Sequence, residues 1–281
     1  MSSVLLKHST REPIGNPFLP SLTVTSLFDK LYTMEQMGPV TLSIIIPALN
    51  EAENLEACVR EVIRTIPKSL TYELLVFNDG SSDRTGAIGE VLQKEFSTIH
   101  LFHNPRPMGI GYNYVKGVEK AQGAFVMMVP GDNEIRFASL APSFEKLGSY
   151  DILIPYAINP EVRPRMRRLI SNAFTMICNT LFDLRVRYFN GPCIHRTELV
   201  RSIFLDTSGF AYMAGILVRL IKSGAAYTHV PMELRPRLHG ASKAFRLRNA
   251  LSVGQVLFSL IREIYFSKKF NIPYPGKHAT Q

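Results

Sequence analysis

The chain has 281 residues, 46% of them hydrophobic, enough to bury one large core or at most two modest ones, so one main domain is expected. A net charge of +9 and a pI near 9.5 point to an anionic partner without choosing among nucleic acid, a membrane surface and a phosphorylated substrate. The three cysteines, Cys58, Cys178 and Cys193, form no CxxC pair and no Cys/His cluster of metal spacing, which argues against a disulfide framework or zinc site and fits a reducing, cytoplasmic setting.

Residues 1–38 mix prolines and polar residues and read as an N-terminal arm. From Leu42 the pattern sharpens. The runs "LSIIIPA", "YELLVFND", "TIHLFHN", "AFVMMVP" and "YDILIPY" are short, apolar and rich in β-branched residues, and helical periodicity separates the first four. Near-continuous apolar strands alternating with helices predict an α/β domain with a mostly parallel central sheet and helices on both faces.

Asn50 and Glu53 have the spacing of a capping box ahead of a stripe formed by Leu55, Val59, Val62, Ile63 and Ile66, and Pro67 closes that helix. Further helices are expected at 109–121, 165–182 and 211–223. A strand "AYTHVPM" and a final helix from Phe245 to about Phe266 follow. That last helix is apolar on one side and basic at its ends, a pattern suited to a membrane interface and equally to core packing. No apolar stretch reaches the roughly 18 residues a spanning helix needs. The N-terminus also lacks the cationic-then-apolar order of a signal peptide.

In open parallel sheets, ligands bind beyond the carboxyl ends of the strands. Pro47, Leu49, Asn50 and Glu51 follow the first strand, Asn78 to Ser82 the second, and Gly131, Asp132 and Glu134 the fourth, so three polar clusters should share one edge. Alone, "NDGSSD" is equally a turn and a helix cap. Asp132 and Glu134 suit Mg²⁺ or Mn²⁺, whose shell is completed by water and substrate phosphate, although acids also favour a first helical turn. Arg167 and Ser171, four residues apart on a predicted helix, can grip a phosphate together.

"IIIPALNEAENL", "VFNDGSSDRT", "GIGYNYVKGVEKAQGAFVMMVPGDNE" and "RLHGASK", in this order, resemble the family-2 inverting glycosyltransferases of the GT-A fold, and within them the polyprenyl-phosphate sugar synthases. The resemblance implies that Pro47, Leu49, Glu51, Asp79 and Gly131 hold a nucleotide-sugar donor and that Asp132 and Glu134 bind the metal on its diphosphate. It further implies that Arg237 and Lys243 close over that diphosphate, while Arg167 and Ser171 hold a polyprenyl-phosphate acceptor. The catalytic domain would span 39–244, followed by the amphipathic helix and tail of 245–281.

Four positions depart from the family pattern. Pro130 stands where the first acid of Asp-x-Asp is expected, Asn78 replaces the first acid of Asp-Asp-Gly-Ser, and Gly215 replaces a common Glu. An Arg expected shortly after the fifth strand is missing, and Arg163 or Arg165 is its candidate substitute. With no acid between Thr207 and Gly224 to act as base, a phosphate acceptor, already ionised, is favoured over a hydroxyl, though Asp183 or Asp206 remains a candidate base by folding. A transferase acting on a polysaccharide or another hydroxyl acceptor is the alternative. A basic nucleic-acid-binding module is the non-enzyme alternative, but the chain has no Trp, and acids on the binding edge would repel phosphates. The expected setting is the cytoplasm, peripheral to the cytoplasmic face of a membrane, without nucleic acid.

Overall fold

The computed structural model describes residues 40–203, 211–236 and 247–266, with the backbone alone over 247–252. The N-terminal arm, Arg237, His239, Lys243, Asp206 and the ends of the C-terminal segment lie outside the described residues.

Chain order is β1 (Leu42–Ala48), α1 (Leu55–Thr65), β2 (Tyr72–Asn78), α2 (Thr85–Glu95), β3 (Ile99–His103), α3 (Ile110–Lys120), β4 (Phe125–Met128) and β5 (Ile135–Arg136). A run of 3-10 turns (Phe137–Lys146) leads to β6 (Ile152–Ala157), α4 (Arg165–Phe182), β7 (Ile194–Arg196) and α5 (Thr197–Ser202). The described chain closes with α6 (Tyr212–Lys222), β8 (Tyr227–Leu234), α7 (Leu247–Ile261) and a π turn (Arg262–Phe266).

The sheet order is β3-β2-β1-β4-β7-β6-β8-β5. β3, β2, β1 and β4 are parallel, as are β6 and β8, so the sheet is the mostly parallel one expected. β7 runs antiparallel to both β4 and β6, and the two-residue β5 pairs antiparallel with β8.

Alternation along β1 separates two cores. Leu42, Ile44 and Ile46 pack with Leu55, Val59 and Val62 of α1, while Ile45 faces Tyr114 and Val118 of α3 and the buried side of α6. Gly117 allows α3 to lie close to the sheet: a Cβ there would stand 2.4 Å from Ile45 Cδ1.

The predicted helix at 165–182 matches α4 at both ends. The start of α1 differs from expectation. The helix begins at Leu55 behind Asn54, with no side-chain cap. Asn50 instead adopts a left-handed conformation, φ 54, and its side-chain carbonyl accepts from Ser82 N at 2.8 Å. The sheet edge claims Asn50 before the helix can, because a loop from β2 lies within reach of the same side chain.

Candidate donor and acceptor site at the sheet edge

Three polar clusters do converge. Pro47 pairs with Phe77 and Ala48 with Asn78, so β1 and β2 end level, and Asp79 N donates to Ala48 O at 2.8 Å. The chain leaving β4 continues alongside β1, with Gly131 N donating to Pro47 O at 3.0 Å. Gly131 makes this approach close: a Cβ would lie 3.1 Å from Ala48 Cβ and 3.3 Å from Pro47 O, tight contacts.

The loops after β1 and β2 are zipped together. Asn50 N donates to Ser81 Oγ at 3.0 Å and Glu51 N to Thr85 Oγ1 at 2.9 Å. The Glu51 carboxylate accepts from Asn54 Nδ2 at 2.7 Å, and Leu49 lies half-buried beside it. Asp79 is buried and points into the stretch ahead of α3. Its Oδ1 accepts from Asn104 Nδ2 and Met108 N, both at 2.8 Å, and its Oδ2 from Gly109 N at 3.0 Å. Asp79 thus fixes the 104–109 stretch against the end of β2.

At the tip after β4, half-buried Asp132 accepts from Glu134 N at 3.2 Å, an Asx-type bond that closes the turn. Glu134 is buried and meets the start of α4. Arg167 Nη1 donates to its two oxygens at 3.0 and 3.3 Å, and Arg163 Nη2 lies 4.0 Å away. Arg163 also donates to Tyr188 OH at 2.8 Å. Of the two arginines named as substitutes for the missing one, Arg163 faces this cluster and Arg165 is exposed. Ser171 lies half-buried one turn beyond Arg167 on the same helix face.

Among the described residues, no group of three or more His, Cys, Asp or Glu side chains could hold a metal ion. Asp132 and Glu134 supply two carboxylates at this turn, hard oxygen donors of the kind that suit Mg²⁺ or Mn²⁺. No thiol is poised as a nucleophile. Burial pushes Cys58 up to about 12, with Asp132 and Glu61 adding to the effect, and also raises Cys178 and Cys193.

The surroundings of Gly215 require a correction. An acid does approach this helix: Glu263, beyond α7, accepts from Arg219 Nη2 at 2.6 Å and Nε at 3.0 Å. The pair ties the final helical segment to α6 through a buried guanidinium. Asp183 caps the far end of α4, about 24 Å along the axis from Arg167, too distant to serve as base there.

Sequence reasoning missed Arg235, which bonds to Glu61 and to Asn133 in the turn after β4. Nothing local marks it, since its partners are 174 and 102 residues away.

A family model described as glycosyl transferase family 2 matches residues 43–204. A glycosyltransferase, AglD, of Haloferax volcanii is 26% identical over 227 residues, covering 76% of this chain and 36% of the relative. A dolichol-phosphate mannosyltransferase of Pyrococcus furiosus is 26% identical over 234 residues, covering 80% and 62%. A dolichyl-phosphate beta-glucosyltransferase, ALG5D, of Trichomonas vaginalis is 30% identical over 133 residues, covering 45% and 38%. The chain thus matches less than two thirds of the length of each. Among solved structures, a glucosyl-3-phosphoglycerate synthase from Mycobacterium tuberculosis in complex with UDP superposes with a TM-score of 0.60 at 18% identity over 86% of each chain, a likeness of fold.

Proposed function

Since the chain belongs to glycosyl transferase family 2 and has the GT-A fold of its structural neighbours, we propose that it transfers a sugar with inversion from a UDP- or GDP-sugar to a polyprenyl or dolichyl phosphate. The relatives whose names carry dolichyl or dolichol phosphate support that acceptor, and the neighbour holding UDP supports a nucleotide donor.

The observation that carries the reading is the contact between Arg167 and Glu134. It brings a cationic helix start to the turn that carries Asp132, so an anionic acceptor held by Arg167 and Ser171 would lie beside the donor's diphosphate. Pro47, Leu49, Glu51 and Gly131 would line the donor site, with Asp79 fixing the loop around it. Asp132 would hold the metal, and Glu134 would exchange between that ion and Arg167. Mg²⁺ or Mn²⁺ would neutralise charge on the departing diphosphate. Arg237 and Lys243 would add to that neutralisation from the following segment.

An acceptor phosphate is ionised at neutral pH and attacks without a general base, which agrees with Glu263 being tied to Arg219. The work left to the protein is orientation and electrostatics.

Peripheral contact with the cytoplasmic face of a membrane forms part of the same proposal. Met166, Leu169, Ile170, Met176 and Ile177 leave an apolar face of α4 43–64% exposed, beside Arg165 and Arg168. Tyr265 OH donates to Leu181 O at 2.7 Å, so α4 lies beside the final helical segment, whose Phe258 and Phe266 are also exposed. No described helix is long and apolar enough to cross a membrane. The reading is tested by Arg167→Ala and Ser171→Ala, which should lower transfer to lipid phosphate while nucleotide binding persists. Loss of nucleotide binding in both would contradict the acceptor role.

A further inference from the structure

Arg235 follows β8 and lies at the centre of a polar knot that the reading above does not use. Its guanidinium donates to both carboxylate oxygens of Glu61 on α1, from Nη2 at 2.9 Å, and from Nη1 to Asn133 Oδ1 at 3.0 Å. Its backbone N–H donates to Glu134 O at 2.7 Å. Glu61 also accepts from Ala138 N at 3.2 Å. One residue therefore ties α1, the turn after β4 and the end of β8 together, and it grips that turn at Asn133 and Glu134, the two residues that follow Asp132.

The turn needs such a grip. Asn133 is held at φ 55, a left-handed conformation that only a few non-glycine residues visit and that persists where neighbours enforce it. Beneath the turn, the buried Cys58 thiol donates to Pro130 O at 3.6 Å, so the turn is the cover over that sulfur. A guanidinium fork fixes direction as well as charge, which an ammonium on a flexible stem does not.

We propose that Arg235 is a positioning residue: clamped by Glu61, it fixes the Pro130–Glu134 turn through Asn133 and so presents Asp132 to the donor's diphosphate and its divalent ion. The proposal rests on the donor-site reading of Asp132. It goes beyond that reading in placing control of the turn on α1 and β8, outside the sheet-edge motifs.

The test uses the full chain with Arg235→Lys and Asn133→Gly. Glycine keeps the left-handed backbone at no steric cost and removes only the side-chain bond. The first readout needs no ligand: the rate at which a maleimide alkylates Cys58, followed by peptide mass spectrometry with buried Cys178 and Cys193 as internal controls. The second is the affinity for Mn²⁺ with UDP or GDP, read by the electron paramagnetic resonance of free Mn²⁺. Both variants should alkylate Cys58 about tenfold faster with the control thiols unchanged, and bind Mn²⁺–nucleotide about tenfold more weakly, the scale of one lost charge-assisted hydrogen bond.

Unchanged Cys58 rates in both variants would overturn the clamp whatever the nucleotides do. Faster alkylation with unchanged nucleotide affinity would overturn the link to Asp132. If the wild-type chain bound no Mn²⁺–nucleotide while Cys58 responded as expected, the donor-site reading itself would fall, and Arg235 would be a structural staple.

Discussion

Arg167 donates from Nη1 to both carboxylate oxygens of Glu134, at 3.0 and 3.3 Å, and so joins the first turn of α4 to the turn that follows β4. Glu134 is 5% exposed, and a second cation, Arg163, lies 4.0 Å away. Removing Arg167 takes a charge-assisted hydrogen bond from a buried carboxylate, whereas removing both charges leaves no such loss. Arg167→Ala should therefore cost about 1–3 kcal/mol of stability, and adding Glu134→Gln should recover part of it. Urea unfolding of the two single variants and the double variant measures the coupling, and strict additivity would show that the pair contributes none. In transfer assays Glu134→Gln should lower the KM for a lipid phosphate several-fold, because the guanidinium then leaves a weaker partner.

Gly80 has φ +69, and a Cβ there would stand 2.4 Å from the carbonyl carbon of Arg106. Neither backbone can yield easily, so Gly80→Ala should cost about 1–3 kcal/mol. Gly148, at φ +86 with open space around it, isolates the conformational part, and Gly148→Ala should cost about 1 kcal/mol or less. Only the first should weaken nucleotide binding, because the 104–109 stretch that Asp79 organises begins just before Arg106. Thermal melts with and without nucleotide separate the two effects.

His195 on β7 is fully buried, and burial pushes its pKa down from 6.5 to about 3. Among the described residues its Nε2 has no hydrogen-bond partner, while Nδ1 lies 3.4 Å from Tyr114 OH. Between those pKa values the unfolded chain binds a proton that the folded chain refuses, so the contribution is fully present above pH 6.5 and is lost as pH falls toward 3. The slope approaches about 1.4 kcal/mol per pH unit for one group. His195→Leu should flatten the stability profile between pH 6.5 and 5, above the main carboxylate range. An unchanged slope in chemical denaturation would contradict the assignment.

The exposed face of α4 predicts binding to vesicles that contain anionic lipid, weakened by salt. Leu169→Glu with Met176→Glu should reduce flotation about tenfold or more while melting temperature stays within a few degrees, since both side chains are already exposed. Equal flotation of variant and parent would remove α4 from the membrane proposal.

The parallel half of the sheet was legible because β1, β2 and β4 are buried on both faces, and the apolar runs "SIIIPA", "ELLVFN" and "FVMM" leave few alternatives. α4 was legible at both ends from its periodicity and the residues before it. β7 was not, since three residues, Ile194, His195 and Arg196, carry no period, and their strand identity comes from wedging between β4 and β6. At the site, the convergence of Pro47, Asp79 and Asp132 followed from reading parallel strands whose carboxyl ends share one edge. The partners were hidden. Glu134 with Arg167, Arg235 with Glu61 and Arg219 with Glu263 are pairs across 33, 174 and 44 residues that only the folded chain creates.

The central claim is transfer of a sugar to a lipid phosphate. The most direct measurement incubates the full chain with a panel of labelled UDP- and GDP-sugars, Mn²⁺ or Mg²⁺, and vesicles containing polyprenyl phosphate, and follows label into the lipid phase. The account predicts transfer from one nucleotide class, with inverted anomeric configuration, lost on adding chelator and in Asp132→Ala. Transfer to a saccharide hydroxyl with none to the lipid phosphate, or label entering the lipid as readily in Asp132→Ala, would contradict it.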